Sequence, residues 1–331
     1  MSTAPLFDAK PITERRRKVQ VQARAKASGV DPKQLPLTEE VNTSTADLDL
    51  LGTHDLLHRI NDEDRRAAWA VEREIDVIAT AVDEIANRLR SGGKLHYFGA
   101  GTSGRIAVLD AAEIPPTFST YDLIVAHIAG GHDAMTRSVE AAEDDAAAGF
   151  REVAEAKITS ADVVVGVSAS GAAAYVLRAL EAAKTAGSLT ICITNSPDTA
   201  LTRLAHIPIV LRTGPEVIAG STRMKAGTAQ KMALTMLSTA VMVKLGKVYG
   251  NLMVDVHASN KKLRNRAERL TALISGSPLE AVRNALRESA YRVKTAVVML
   301  RRNCDARQAD ELLEKSEGNL RKAFSSEAAH R

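Results

Sequence analysis

Three short runs of glycine and hydroxyl residues carry the first chemical signal in this 331-residue chain. They are Gly99-Ala100-Gly101-Thr102-Ser103-Gly104-Arg105, Ser168-Ala169-Ser170-Gly171 and Gly220-Ser221-Thr222-Arg223-Met224-Lys225. Each precedes a helix-forming stretch, and the first two directly follow apolar runs of strand character. Free N–H groups and the dipole make a helix start an anion site, glycines let the backbone approach closely, and hydroxyls add donors. One such loop alone is more often a capped strand–helix turn. Two of them at the carboxyl ends of parallel strands point to a phosphate, with Gly101, Thr102, Ser103, Ser168, Ser170, Gly171, Ser221 and Thr222 as its expected contacts.

Carboxylates supply the second signal. Glu113 lies near the expected end of the helix opened by the first loop, just before Ile114-Pro115-Pro116. Burial at a helix C-terminus would raise its pKa, as a general acid requires. Glu140, Glu143, Asp144 and Asp145 follow on the next expected helix. Such a run is usually a solvated face, but Glu140 and Glu143 share a side, so either one can reach inward toward Glu113. Only one strand and two turns separate the two regions, so Glu113 and Glu143 are expected to face one carboxyl-end crevice.

Other chemistries fit less well. The first loop spells G-x-G-x-x-G, but a dinucleotide site wants an acidic residue at the end of the next strand. That strand ends in His127-Ile128-Ala129-Gly130-Gly131, without a carboxylate. The eight histidines and two cysteines show no metal-ligand spacing, and no nucleophile elbow surrounds Ser103, so neither a metal nor a cofactor is expected.

The elements that must hold these groups alternate. Leu95–Phe98, Leu123–Ile128, Val163–Val167, Leu189–Thr194 and Ile207–Leu211 are near-continuous apolar runs, as buried parallel strands require. Helices are expected between them, at Gly99–Ile114, Asp133–Phe150 and from Gly171 to about Ala186. The fold class is therefore α/β, an open doubly wound, mainly parallel sheet with a small C-terminal helical module. A leading helix is expected over Asp62–Leu89, capped by Asn61 or Asp62 and stopped by Gly92-Gly93. Two more are expected at Thr222–Leu245 and Ser259–Ile274. Ser275–Pro278 reads as a linker before two or three short helices. The domain reading is a basic extension at 1–40, disordered or partly helical, then the sugar-phosphate domain at 41–275 and the helical module at 276–331.

Composition narrows the function. Hydrophobic residues make up 45% and charged residues 25%, as in ordinary globular enzymes. Aromatics are 3%, too few for base-stacking platforms, and no apolar run approaches a membrane span or a signal peptide. The net charge of +4 belongs to residues 1–35, which hold eight basic and three acidic side chains. A basic tail on a near-neutral body is not a nucleic-acid footprint. Two cysteines in so long a chain suit a reducing, cytoplasmic compartment.

The runs Gly99–Phe118, Ile128–Gly131, Glu140–Asp144, Gly214–Lys231 and Gly246–Asp255 resemble the N-acetylmuramic acid 6-phosphate etherases. The resemblance extends from about Thr38 to the C-terminus. It implies a sugar-isomerase (SIS) domain, a homodimer and a metal-free reaction. That reaction cleaves a D-lactyl ether to N-acetylglucosamine 6-phosphate and D-lactate in cell-wall recycling. It further implies that Glu113 is the proton donor and Glu143 the second catalytic glutamate. After the second loop this chain has Ala172-Ala173-Ala174-Tyr175 where the family usually has Arg-Thr-Pro-Tyr. A guanidinium and a hydroxyl are thereby absent near the phosphate loop. The alternative is a non-catalytic sugar-phosphate sensor on the same domain.

Overall fold

The structure, a computed structural model, describes residues 36–255 and 261–325. Most of the basic extension therefore lies outside the described residues. The part of it that is described, residues 36–40, is docked rather than disordered: Gly220 N donates to Thr38 O at 3.0 Å.

Five strands, β1 (Leu95–Gly99), β2 (Ile124–Ile128), β3 (Val163–Val167), β4 (Leu189–Thr194) and β5 (Ile207–Val210), form one parallel sheet in the order β2-β1-β3-β4-β5. Their apolar runs are continuous because both faces are covered. On one face Tyr97, Val165 and Ile191 pack against α1 (Thr53–Glu72), α2 (Ile75–Arg90), α3 (Gly101–Phe118) and α7 (Lys225–Lys244). On the other, Phe98, Val164 and Cys192 pack against α4 (Ala146–Glu155), α5 (Ala174–Thr185) and the short α6 (Ala200–Leu204). Each fully buried side chain of this kind stabilises the fold by roughly 1.5–3 kcal/mol.

A second core begins at the hairpin β6 (Val248–Tyr249) and β7 (Leu252–Met253). It joins α8 (Lys261–Ser275), α9 (Leu279–Glu288), α10 (Val293–Arg302), α11 (Ala306–Lys315) and α12 (Leu320–Ser325). The helix expected at Ser259–Ile274 thus belongs to this core, whose boundary falls before 276, and four short helices follow it rather than two or three. Lys247, from the sheet side, and Lys294, from the helical side, both pair with Asp255 at 3.0 Å and tie the two cores together.

Three helices differ from expectation for identifiable reasons. The helix expected over Asp62–Leu89 is two, and it starts at Thr53 with Gly52, not Asn61 or Asp62, at its N-cap. The break falls at Arg73–Glu74, where the Glu74 carboxylate accepts a hydrogen bond from Val210 N at the sheet edge, 3.2 Å away. Pro115 and Pro116 lie inside α3 instead of ending it. Burial of Ile114 and Phe118, with a left-handed cap at Ser119 (φ 51°), offsets the missing proline donors. The acidic helix expected over Asp133–Phe150 is instead two 3₁₀ turns, Gly131–Met135 and Ala142–Asp144, followed by α4. Ala141 at φ 58° breaks the helical path, and Asp145 restarts it by accepting from Ala148 N at 2.9 Å.

Candidate active site

The strand order fixes where the loops meet. β1 and β3 are neighbours, yet the chain leaves β1 for α3 on one face and β3 for α5 on the other. Their loops therefore diverge and open a crevice at the carboxyl edge, the switch point of such sheets.

The first loop enters α3 with no side chain capping its first turn, which leaves the leading N–H groups of that helix facing the crevice. Ser103 is buried and Thr102 half-buried. Gly104 must be glycine: a Cβ there would lie 2.8 Å from Gly99 O and 2.6 Å from Ile128 Cγ1. In the second loop Gly171 N donates to Ser168 Oγ at 3.2 Å, and Ala172 N to Ser170 Oγ at 3.3 Å. Gly171 holds φ 67° against Thr199, a conformation glycine favours.

The third loop behaves differently. Its helix starts at Lys225 rather than Thr222, and the Glu216 carboxylate accepts from Lys225 N at 3.3 Å and Ala226 N at 2.9 Å. The anion capacity of this helix start is thus already used by a buried side chain whose pKa burial raises. The loop still borders the first one, because Gly227 closely faces Thr102 and the Thr222 carbonyl.

A cavity of about 340 Å³ at the carboxyl edge is lined by Gly101, Arg105, Ser138, Glu140 and Glu143, among others. Glu140 and Glu143 are exposed. The segment that carries them is held by Arg105, whose Nε–H donates to Ala134 O at 2.8 Å and whose Nη2–H donates to Arg137 O at 2.9 Å. Of the expected phosphate contacts only Gly101 lines this cavity; Thr102, Ser103, Ser168, Ser170, Gly171, Ser221 and Thr222 stand outside its lining. Glu113 does not reach it. It is exposed on α3, roughly 18 Å along the axis from Gly101 at 1.5 Å per residue. The expected burial of Glu113, and its sharing of a crevice with Glu143, are therefore not met within one chain.

Beneath the site lies a polar chain that the sequence reading missed. The ring nitrogens His96 Nδ1 and His127 Nε2 are 3.1 Å apart, and Tyr175 OH donates to Glu152 Oε2 at 2.6 Å. His127 Nδ1 lies 3.7 Å from that same Glu152 oxygen. Burial, with the neighbouring His96, pushes the His127 pKa down to about 4, and burial raises that of Glu152. Glu216 and Arg105 were also visible as residues but not as roles, since their partners are backbone atoms that periodicity cannot locate. Among the described residues no group of three or more His, Cys, Asp or Glu is placed to hold a metal ion.

This is the site of a SIS-type α/β protein: family models for the SIS domain match residues 134–240, and the glucokinase regulatory protein N-terminal SIS domain matches 77–184. Over 289 residues the chain is 46% identical to an N-acetylmuramic acid 6-phosphate etherase of Caldanaerobacter subterraneus subsp. tengcongensis, covering 87% of this chain and 94% of that protein. It is 48% identical to N-acetylmuramic acid 6-phosphate etherase 1 of Bacillus licheniformis, over 87% of this chain and 95% of the relative. Identity to the Symbiobacterium thermophilum protein of that name is 50%, over 80% and 88%. The chain belongs to the N-acetylmuramic acid 6-phosphate etherase family.

Proposed function

We propose that the chain cleaves the D-lactyl ether of N-acetylmuramic acid 6-phosphate, giving N-acetylglucosamine 6-phosphate and D-lactate, as a carbon–oxygen lyase. The observation that carries this reading is one cavity at the switch point where the uncapped start of α3 meets Glu140 and Glu143. The helix start and the hydroxyls of Thr102, Ser103, Ser168 and Ser170, with Gly101 and Gly171 admitting the oxygens and Ser221 and Thr222 at the border, hold the phosphate. In the open-chain sugar the aldehyde acidifies the C2 proton. The Glu143 carboxylate removes that proton, the C3–O bond breaks, and the electron pair forms the C2–C3 double bond. An acid protonates the departing lactate oxygen. Water then adds at C3, giving up a proton to the conjugate base of that acid, and Glu143, its proton exchanged with solvent, protonates C2. No electron is gained or lost overall, so no redox cofactor is called for.

Glu113 is the acid in this reading, supplied by a second copy of the chain. Its distance from Gly101 argues for this, and so does its setting: it shares the outer side of α3 with Leu109, a large apolar residue that is 51% exposed. A symmetric homodimer would cover that stripe and carry each Glu113 to the other copy's cavity. The described residues contain no helix long and apolar enough to cross a membrane, and both cysteines are free. The test is D-lactate release from the purified substrate by the parent chain and by Glu143→Gln. Tight binding of the sugar phosphate without lactate release would make the chain a sensor instead.

A further inference from the structure

The substrate of the proposed reaction carries two anions, the 6-phosphate and the carboxylate of the lactyl group. The phosphate has its hydroxyl loops, but the lactyl end must enter beside Glu140 and Glu143, which repel it. Arg105 is the one cation among the residues lining that cavity. Its guanidinium is already oriented: Nε–H and one Nη2–H donate to the carbonyls of Ala134 and Arg137 at 2.8 and 2.9 Å. The opposite edge, formed by Nη1 and the second Nη2–H, makes no hydrogen bond to the described residues, and this edge matches a carboxylate bidentately. The small side chains of Ala129 and Ala142 line the same cavity.

We propose that Arg105 receives the carboxylate of the lactyl group and so selects the lactyl-bearing sugar phosphate over the same sugar phosphate without it. The inference rests on the etherase reading for the identity of the ligand. One side chain then does two things: it holds the turn that carries Glu143, and it fixes the leaving group against that turn.

Calorimetry on the full chain tests this, with Glu143→Gln used to prevent turnover. That variant should bind N-acetylmuramic acid 6-phosphate roughly 10- to 100-fold more tightly than its neutral lactamide, the range of a charge-assisted pair. Adding Arg105→Gln should erase this preference and weaken the lactyl ligand by the same factor. Affinity for N-acetylglucosamine 6-phosphate should stay within about twofold, which also shows that the site is folded. Equal binding of acid and lactamide with Arg105 intact overturns the proposal, and that comparison does not depend on any Arg105 variant folding. Parallel loss of both sugar phosphates in Arg105→Gln also overturns it, since Arg105 would then serve the phosphate or the loop alone. If the parent chain releases no lactate while the acid-over-lactamide preference persists, the etherase reading fails and the recognition role stands.

Discussion

Glu63→Leu should be among the most damaging single changes in the sheet domain. Glu63 and Lys225 form an ion pair whose side chains are 3% and 0% exposed. Lys225 opens α7 at the end of the third loop, so the pair locks α1 to the segment that borders Thr102. Ser44 Oγ donates to the Glu63 carboxylate at 2.9 Å, and Arg66 lies 3.2 Å from it. Removing Glu63 takes away the carboxylate paired with the buried Lys225 ammonium and leaves only the charge of nearby Glu216, at a cost of about 3–5 kcal/mol. Glu63→Leu with Lys225→Met removes both charges and should return to within roughly 1 kcal/mol of the parent, because an apolar pair of similar volume replaces a desolvated one. Urea unfolding at neutral pH measures both. The reasoning fails if the single change costs under about 1 kcal/mol, or if the double change costs as much as the two singles added. Burial alone would raise the Glu63 pKa, but hydrogen bonds from Lys225 and Ser44 and the charges of Lys225 and Arg66 hold it below 4.5. Its stabilisation is therefore present above pH 4.5 and lost as pH falls through the lowered value.

Three further outcomes follow from the site and its supports. Because His127 is held near 4 against an ordinary 6.5, the unfolded chain takes up its proton first as pH falls. Stability should thus drop by on the order of 3 kcal/mol between pH 6.5 and 4, and His127→Leu should flatten that part of a stability–pH curve, with an unchanged slope counting against it. Ser103→Ala should raise KM several-fold with little change in kcat, through loss of a phosphate donor worth about 1 kcal/mol; an unchanged KM would remove Ser103 from the phosphate site. Mixing separately inactive Glu113→Gln and Glu143→Gln chains should restore roughly a quarter of parental activity, since half the dimers are mixed and each has one intact site. No restoration would place both carboxylates in one subunit.

The parts legible in the sequence were those set by local chemistry. Val163–Val167 and Leu189–Thr194 were readable to the residue because strands buried on both faces need unbroken apolar runs. The loops at Gly99 and Ser168 were readable as strand-to-helix turns because glycine and serine favour turns and helix starts. What failed depended on tertiary partners. Glu74 leaves its helix for Val210 N, and Arg105 fixes the Gly131–Asp145 segment through two backbone carbonyls. The sequence marks neither. Glu113 was recognised as a residue but misplaced, because Pro115-Pro116 reads as a helix stop and the buried Phe118 overrides it. The hairpin Val248–Met253 is too short to show a period.

Isotope transfer from solvent tests the central claim, elimination followed by hydration at the sugar, most directly. With N-acetylmuramic acid 6-phosphate in water enriched in both deuterium and oxygen-18, mass spectrometry should find one deuterium at C2 and one heavy oxygen at C3 of the N-acetylglucosamine 6-phosphate. The D-lactate should carry no heavy oxygen at its hydroxyl. Heavy oxygen in the lactate hydroxyl, or a product without deuterium at C2, would contradict the account.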